Sequence, residues 1–218
     1  MGITRQPHPQ QKQRLNPLSR LKVHLRLLPL AGRTYRIITL RPSTRVAFST
    51  NYYHDTWHLL SDMTGSQLLA RLLWGLSYQR QPGTMALIHD RHLLPTPFEA
   101  ERSDPFLLIP SHLTAVDPKA FRTLRSRLLH LGQPSHTARW LTFGLDAAWK
   151  AWQRDGQHQP QEQEWDRLWH EDHEKRWRQE RMGRCGGFIY YAAPPPILHG
   201  SGEKLQSFPT MLTAKPGR

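Results

Sequence analysis

The sequence predicts an α+β fold, with short antiparallel strands at the N-terminus followed by several helices and a few interspersed strands. Three observations predict it. Residues 21–30 alternate apolar and basic side chains with period two, the pattern of a half-buried strand. Apolar residues later recur at three- and four-residue steps, after Thr64 and again after Asp117, which is helical spacing. Strands come first and helices later, whereas a doubly wound fold alternates them strictly.

Taken in order, residues 1–20 are polar and rich in Pro and Gln, and read as a disordered basic tail with too little apolar surface to offset the entropy of ordering. In residues 21–30, Val23, Leu25 and Leu27 point one way, and Lys22, His24 and Arg26 the other. Ala31-Gly32 is a turn, residues 34–40 are a second strand rich in β-branched side chains, and residues 45–50 are a third after Pro42-Ser43, together an antiparallel meander. Residues 51–63 read as a helix with Trp57, Leu59 and Leu60 apolar. Thr64 and Gln67 have capping-box spacing ahead of a helix to about Gln79, stopped by Gln81-Pro82-Gly83. Residues 84–89 and 106–109 are short apolar strands.

Asp117-Pro118 is a strong helix start, because Asp caps and Pro suits the first helical position. Phe121, Leu124, Leu128 and Leu131 follow up to Gly132. Helices are expected over 138–154, with Leu141, Leu145, Ala148, Trp149 and Trp152 inward, and over 162–182, with Trp165, Trp169 and Trp177 on one side. Residues 188–192 are the last strand. The resulting organisation is a tail over 1–20, one domain over 21–192, and a flexible Pro- and Gly-containing tail over 193–218.

Charge is the main global feature. The 218 residues carry a formal net charge of +13. Ten basic residues and no acid occur before Asp55, and such a single-sign region attracts polyanions. The function expected is therefore binding of nucleic acid, DNA or RNA, through its phosphates. The candidate residues are Lys22, Arg26, Arg33 and Arg36 on the N-terminal sheet, with Arg122 and Arg125 on the basic face of the helix after Asp117. An acidic protein is the alternative partner. A basic helix followed by residues 130–137 is long for the turn of a helix-turn-helix and contains Pro134.

Enzymatic readings find less support. His54, His58 and Asp62 fall four residues apart, a ligand spacing if they lie on a helix. With His89 and Asp90 they are the candidate ligands of a divalent-metal hydrolase. H-E-x-x-H is absent, and His170 and His173 stand three apart among Glu and Lys, as on a solvated helix. Asp90, Glu99, Glu101 and Asp104 resemble the acids of a metal-dependent nuclease, but no lysine lies between Lys22 and Lys119. Phosphate-binding glycine loops and G-x-S-x-G are missing, which removes the nucleotide and α/β-hydrolase readings. The single cysteine, Cys185, cannot form an internal disulfide and reads as a small packing residue, although Arg184 beside it would favour a thiolate. No cofactor is expected. No run approaches the ~20 apolar residues of a membrane helix, and the N-terminus lacks the apolar core of a secretory signal, so the expected location is the cytoplasm.

Overall fold

Strand β1 (Lys22–Leu30) and strand β2 (Arg33–Leu40) form an antiparallel hairpin. Its turn is Ala31-Gly32, both left-handed with φ of 50° and 83°, which matches the right-handed twist of the flanking strands. The hairpin is the first part of the structure, a computed structural model that describes residues 21–96, 98, 101–155, 179–205 and 212–214. The tail expected over residues 1–20 lies outside the described residues, as does most of the helix expected over 162–182.

After β2 come β3 (Phe48–Tyr53), β4 (Thr56–Ser61) and helix α1 (Met63–Ser77). Then follow β5 (Thr84–Ile88), β6 (Phe106–Pro110), α2 (Pro118–Arg127), β7 (His136–Arg139) and α3 (Leu145–Asp155). The C-terminal part holds β8 (Arg181–Cys185), β9 (Phe188–Ala193), α4 (Pro195–Leu205) and β10 (Leu212–Ala214). Seven strands form one sheet in the order β7-β1-β2-β5-β6-β9-β8. The pairs β2–β5 and β6–β9 are parallel and the others antiparallel. A smaller sheet has the order β10-β4-β3.

This is a mixed α/β fold in which strands dominate, and it replaces the α+β arrangement expected from the sequence. The large sheet separates two cores. On one face, Val23, Leu25, Ile38 and Leu40 pack with the leucines of α1 and with Leu198 of α4. On the other, Leu30, Ile37, Met85 and Leu107 pack under Phe121 and Leu124 of α2. The central strands β5 and β6 are buried along their whole length, as expected for strands covered on both faces.

Four local readings change for identifiable reasons. Residues 51–63 are not a helix, because β3 and β4 pair from Phe48 with Ser61 to Tyr53 with Thr56. Their turn, His54-Asp55, is left-handed at both positions, with φ of 48° and 54°. It contains no glycine, so the usual hairpin signal is missing. Helix α1 is capped by Asp62, whose side chain accepts from the Gly65 amide at 2.8 Å, and Thr64 lies inside the first turn. Residues 136–139 extend the sheet as its edge strand beside β1, so α3 begins only at Leu145 and Leu141 is 72% exposed. Residues 195–205, expected to be flexible, are helix α4 against α1. Gly202 makes that contact possible, since a Cβ there would stand 2.9 Å from the Ala70 carbonyl oxygen.

The start of α2 follows its sequence signals. Asp117 Oδ1 accepts from the Ala120 amide at 2.6 Å, with Pro118 in the first turn. The helix ends at Arg127 and a 3-10 turn over Leu128–His130 follows it. Among the described residues, no helix is long and apolar enough to cross a membrane.

Candidate nucleic-acid interface

Strand pairing decides which of the many cations share a surface. Lys22 stands directly opposite Arg139 across the β1–β7 ladder. On the other side of β1 the ladder ends at the Val23–Leu40 pair, and Arg41 is the residue immediately beyond it. Side chains alternate along a strand. Lys22, His24 and Arg26 therefore lie on the α2 face, opposite Val23 and Leu25 in the α1-side core. Lys22 and Arg139 are thus a directly opposed pair on adjacent strands, with Arg41 just past the end of β2. Lys22 and Arg139 are exposed and Arg41 is half-buried. Among the described residues none of the three makes an ion pair with a carboxylate.

The next row along these strands is Thr137, His24 and Thr39. Burial is the main factor holding the His24 pKa below the ordinary histidine value, and the charges of Arg26 and Arg41 lower it further. Among the described residues, three buried atoms at this corner, His24 Nδ1, Thr39 Oγ1 and Arg26 Nε, have no hydrogen-bond partner. Buried polar atoms are nearly always satisfied, so this corner has unused capacity for a polar ligand or ordered water.

The six cations expected to bind phosphate do not form one patch. Lys22 belongs to the opposed pair. Arg26 is on the same face, but its guanidinium donates to the carbonyl oxygens of Gly132 and, at 3.4 Å, Leu131, so it fastens the segment after α2 to the sheet. Arg33 pairs with Leu30 at the far end of the hairpin. Arg36 alternates with Ile37 and so belongs to the α1 face. Arg122 is on α2, and Arg125 lies over the Phe188 ring at 6.0 Å from its centroid. Arg139, the partner of Lys22, was not singled out by sequence, since the signal that joins them is strand register; nor was Arg41.

The proposed metal ligands are also dispersed. His54 sits in the β3–β4 turn, His58 on β4, and Asp62 is occupied in capping α1. The spacing of four was informative only for a helix. His89 and Asp90 follow β5, with His89 Nδ1 3.3 Å from Asp90 Oδ2 and Arg102 3.9 Å from the other carboxylate oxygen. Asp104 pairs with Arg184 at 2.8 Å. His92 is buried, and desolvation lowers its pKa although backbone hydrogen bonds at Val46 and Arg41 oppose the shift. Among the described residues no three His, Cys, Asp or Glu side chains are grouped to hold a metal ion. Cys185 is half-buried at the end of β8, beside a cleft of about 550 Å³ that Phe121, Tyr190 and Arg181 also line.

One further polar cluster joins α1 to α4. The Tyr78 hydroxyl is 3.1 Å from His199 Nε2, and His199 Nδ1 is 3.4 Å from Glu203 Oε1. The imidazole stacks on Trp74 with centroids 3.7 Å apart. The His199–Glu203 spacing of four residues was a visible signal, but Tyr78 is far away in sequence. The cluster lies at the C-terminal end of α1, on the sheet face opposite Lys22. Comparison with protein-family models, with curated proteins and with solved structures gives no match to this chain.

Proposed function

We propose that this protein is a non-enzymatic nucleic-acid binder that contacts the phosphate backbone at the corner formed by β7, β1 and the end of β2. The observation that carries this reading is the opposed pair of Arg139 and Lys22, with Arg41 just past the end of β2, three cations with no carboxylate partner among the described residues. Like charges directly opposed in a sheet are destabilising, so an arrangement of this kind suits a polyanion that neutralises it. The chain-wide charge of +13 adds a long-range attraction that accelerates encounter. Hydrolysis at a metal is less well supported, since the helix on which the His54, His58 and Asp62 spacing depended is a hairpin. Nucleic acid in the cytoplasm is the partner this reading names.

The test is a titration of the full chain against generic DNA and RNA at two salt concentrations. It is repeated with Lys22, Arg41 and Arg139 all changed to Gln. Binding should weaken steeply with salt, because each neutralised phosphate releases counterions, and the triple variant should lose about 2.7 from the logarithmic salt slope. Absence of binding at low salt refutes the reading and leaves an acidic protein as the partner to seek. Binding that is indifferent to the triple substitution refutes this location.

A further inference from the structure

Strand β8 is the last strand of the large sheet, at the edge opposite β7. Met182 faces the α1-side core. Side chains alternate along a strand, so Arg181, Gly183 and Cys185 face the α2 side. Their partners across the ladder are Ala192, Tyr190 and Phe188. The turn that joins β8 to β9 presses on α2, since a Cβ at Gly186 would stand 2.8 Å from the Phe121 Cβ. Towards the other end of this hairpin, a cleft of about 550 Å³ lies between α2 and the strands.

Location, walls and charge all mark the cleft as a ligand site. Strands β6 and β9 are parallel. Ile109 and Ala192, near their carboxyl ends, line the cleft together with Ser111 from the segment that leads to α2. Ligands of open α/β sheets bind beyond the carboxyl ends of the strands, in pockets of roughly 300–1,000 Å³. One wall is aromatic: the Phe121 and Tyr190 rings stand 5.5 Å apart. Tyr190 lies over Gly183, where a Cβ would come within 3.2 Å of its hydroxyl. Arg181 is the one cation among the lining residues, and no Asp or Glu accompanies it. It is exposed and makes no ion pair among the described residues. The neighbouring carboxylates are engaged elsewhere. Glu180 accepts from the hydroxyl of Tyr191, which packs in the α1-side core, and Asp117 caps α2.

We propose that this cleft binds a small aromatic carboxylate, with its ring against Phe121 and Tyr190 and its charge at Arg181. The site goes beyond the nucleic-acid reading and is separate from it, since β2, β5 and β6 lie between β1 and β9. Aromatic rings favour a planar aromatic body. A single cation suits a monoanion, and its exposure to solvent limits how strongly it selects the anion over a neutral isostere.

Cys185 is the single cysteine of the chain and lines the cleft, so its alkylation by iodoacetamide reports occupancy there. The full chain is titrated with naphthoate, with its neutral isostere naphthamide, and with acetate, which has the charge and no ring. The alkylation rate is followed by intact mass. Naphthoate should slow alkylation, naphthamide should require about fivefold higher concentration for the same protection, and acetate should not protect. Arg181→Gln should bring naphthoate down to the affinity of naphthamide. Ala192→Phe, which places a ring in the floor, should remove protection by both, with circular dichroism as the check on its fold. The comparison of probes on the parent protein needs no variant, so it tests the site even if Ala192→Phe misfolds. Absence of protection by naphthoate, equal affinity for the acid and the amide in the parent, protection by acetate alone, or a preference for the acid that survives Arg181→Gln overturns the proposal.

Discussion

Lys22 and Arg139 face each other as a directly opposed pair of like charges on β1 and β7. Such a pair disfavours the folded state and favours any ligand that neutralises it. Arg139→Thr should therefore raise stability by a few tenths of a kcal/mol, roughly 0.3, while weakening nucleic-acid binding and lowering the logarithmic salt slope by about 0.9. Urea denaturation and a salt series on the same preparation measure both effects. A variant that is less stable and binds unchanged would mean that Arg139 serves only the sheet.

The pair also shows what sequence could reveal. Ten cations before the first acid are plain to read, but Arg139 joins Lys22 only because a four-residue edge strand pairs with β1. Elements whose signals are local were legible: the alternation of Val23 and Leu25, the Asp117-Pro118 helix start, and the apolar runs that became β5, β6 and β9. Elements decided by packing were not. Helix α4 contains Pro195, Pro196, Gly200 and Gly202, a composition that reads as a tail. Its prolines occupy the first turn, where the missing amides cost nothing. Gly202 is required by the close approach of α1. The β3–β4 hairpin was hidden because its turn uses His and Asp where glycine is usual.

His24 lies one row from Lys22, and its pKa is lowered by burial and then by Arg26 and Arg41. A phosphate at this corner would offset both cations and favour the imidazolium. Binding should therefore take up a proton, and affinity should rise as pH falls below about 6.5. Calorimetric titration in two buffers of different ionisation enthalpy measures that uptake directly. In His24→Gln the uptake should disappear and the pH dependence flatten. Equal proton uptake by the variant would assign the titration to another group.

His92 makes a separate prediction about stability. Desolvation is the largest influence on its ring and lowers its pKa from 6.5, so the unfolded chain takes up its proton before the folded one does. The stability due to neutral His92 is complete above pH 6.5 and is lost as pH falls from there through the lower folded value. Urea midpoints should decline with acidification through this window. His92→Asn should start less stable, having lost packing at a buried site, and should decline less steeply. Parallel declines would show that other groups dominate the acid response.

Arg71, in α1, is the largest fully buried side chain among the described residues. Burial pulls its pKa below the usual arginine value and Asp146 pulls it back. The ion pair is long, at 3.4 Å from Nη2, and its carboxylate is 55% exposed. Nε and Nη1 have no acceptor among the described residues. A buried guanidinium satisfied at only one nitrogen is poorly compensated for leaving water. Replacement by an apolar chain of similar length removes the desolvation cost and keeps the volume, so Arg71→Met should be as stable as the parent or more so. Asp146→Asn should cost no more than about 1 kcal/mol, because the carboxylate is 55% exposed and solvent screens the pair. Arg71→Ala should be worse than Arg71→Met, since it opens a cavity at a fully buried position. Thermal and urea denaturation of the three variants rank them. If Arg71→Met proves the least stable, the guanidinium is better satisfied than its visible contacts indicate, and an anion or ordered water bound at Nε and Nη1 becomes the explanation to test.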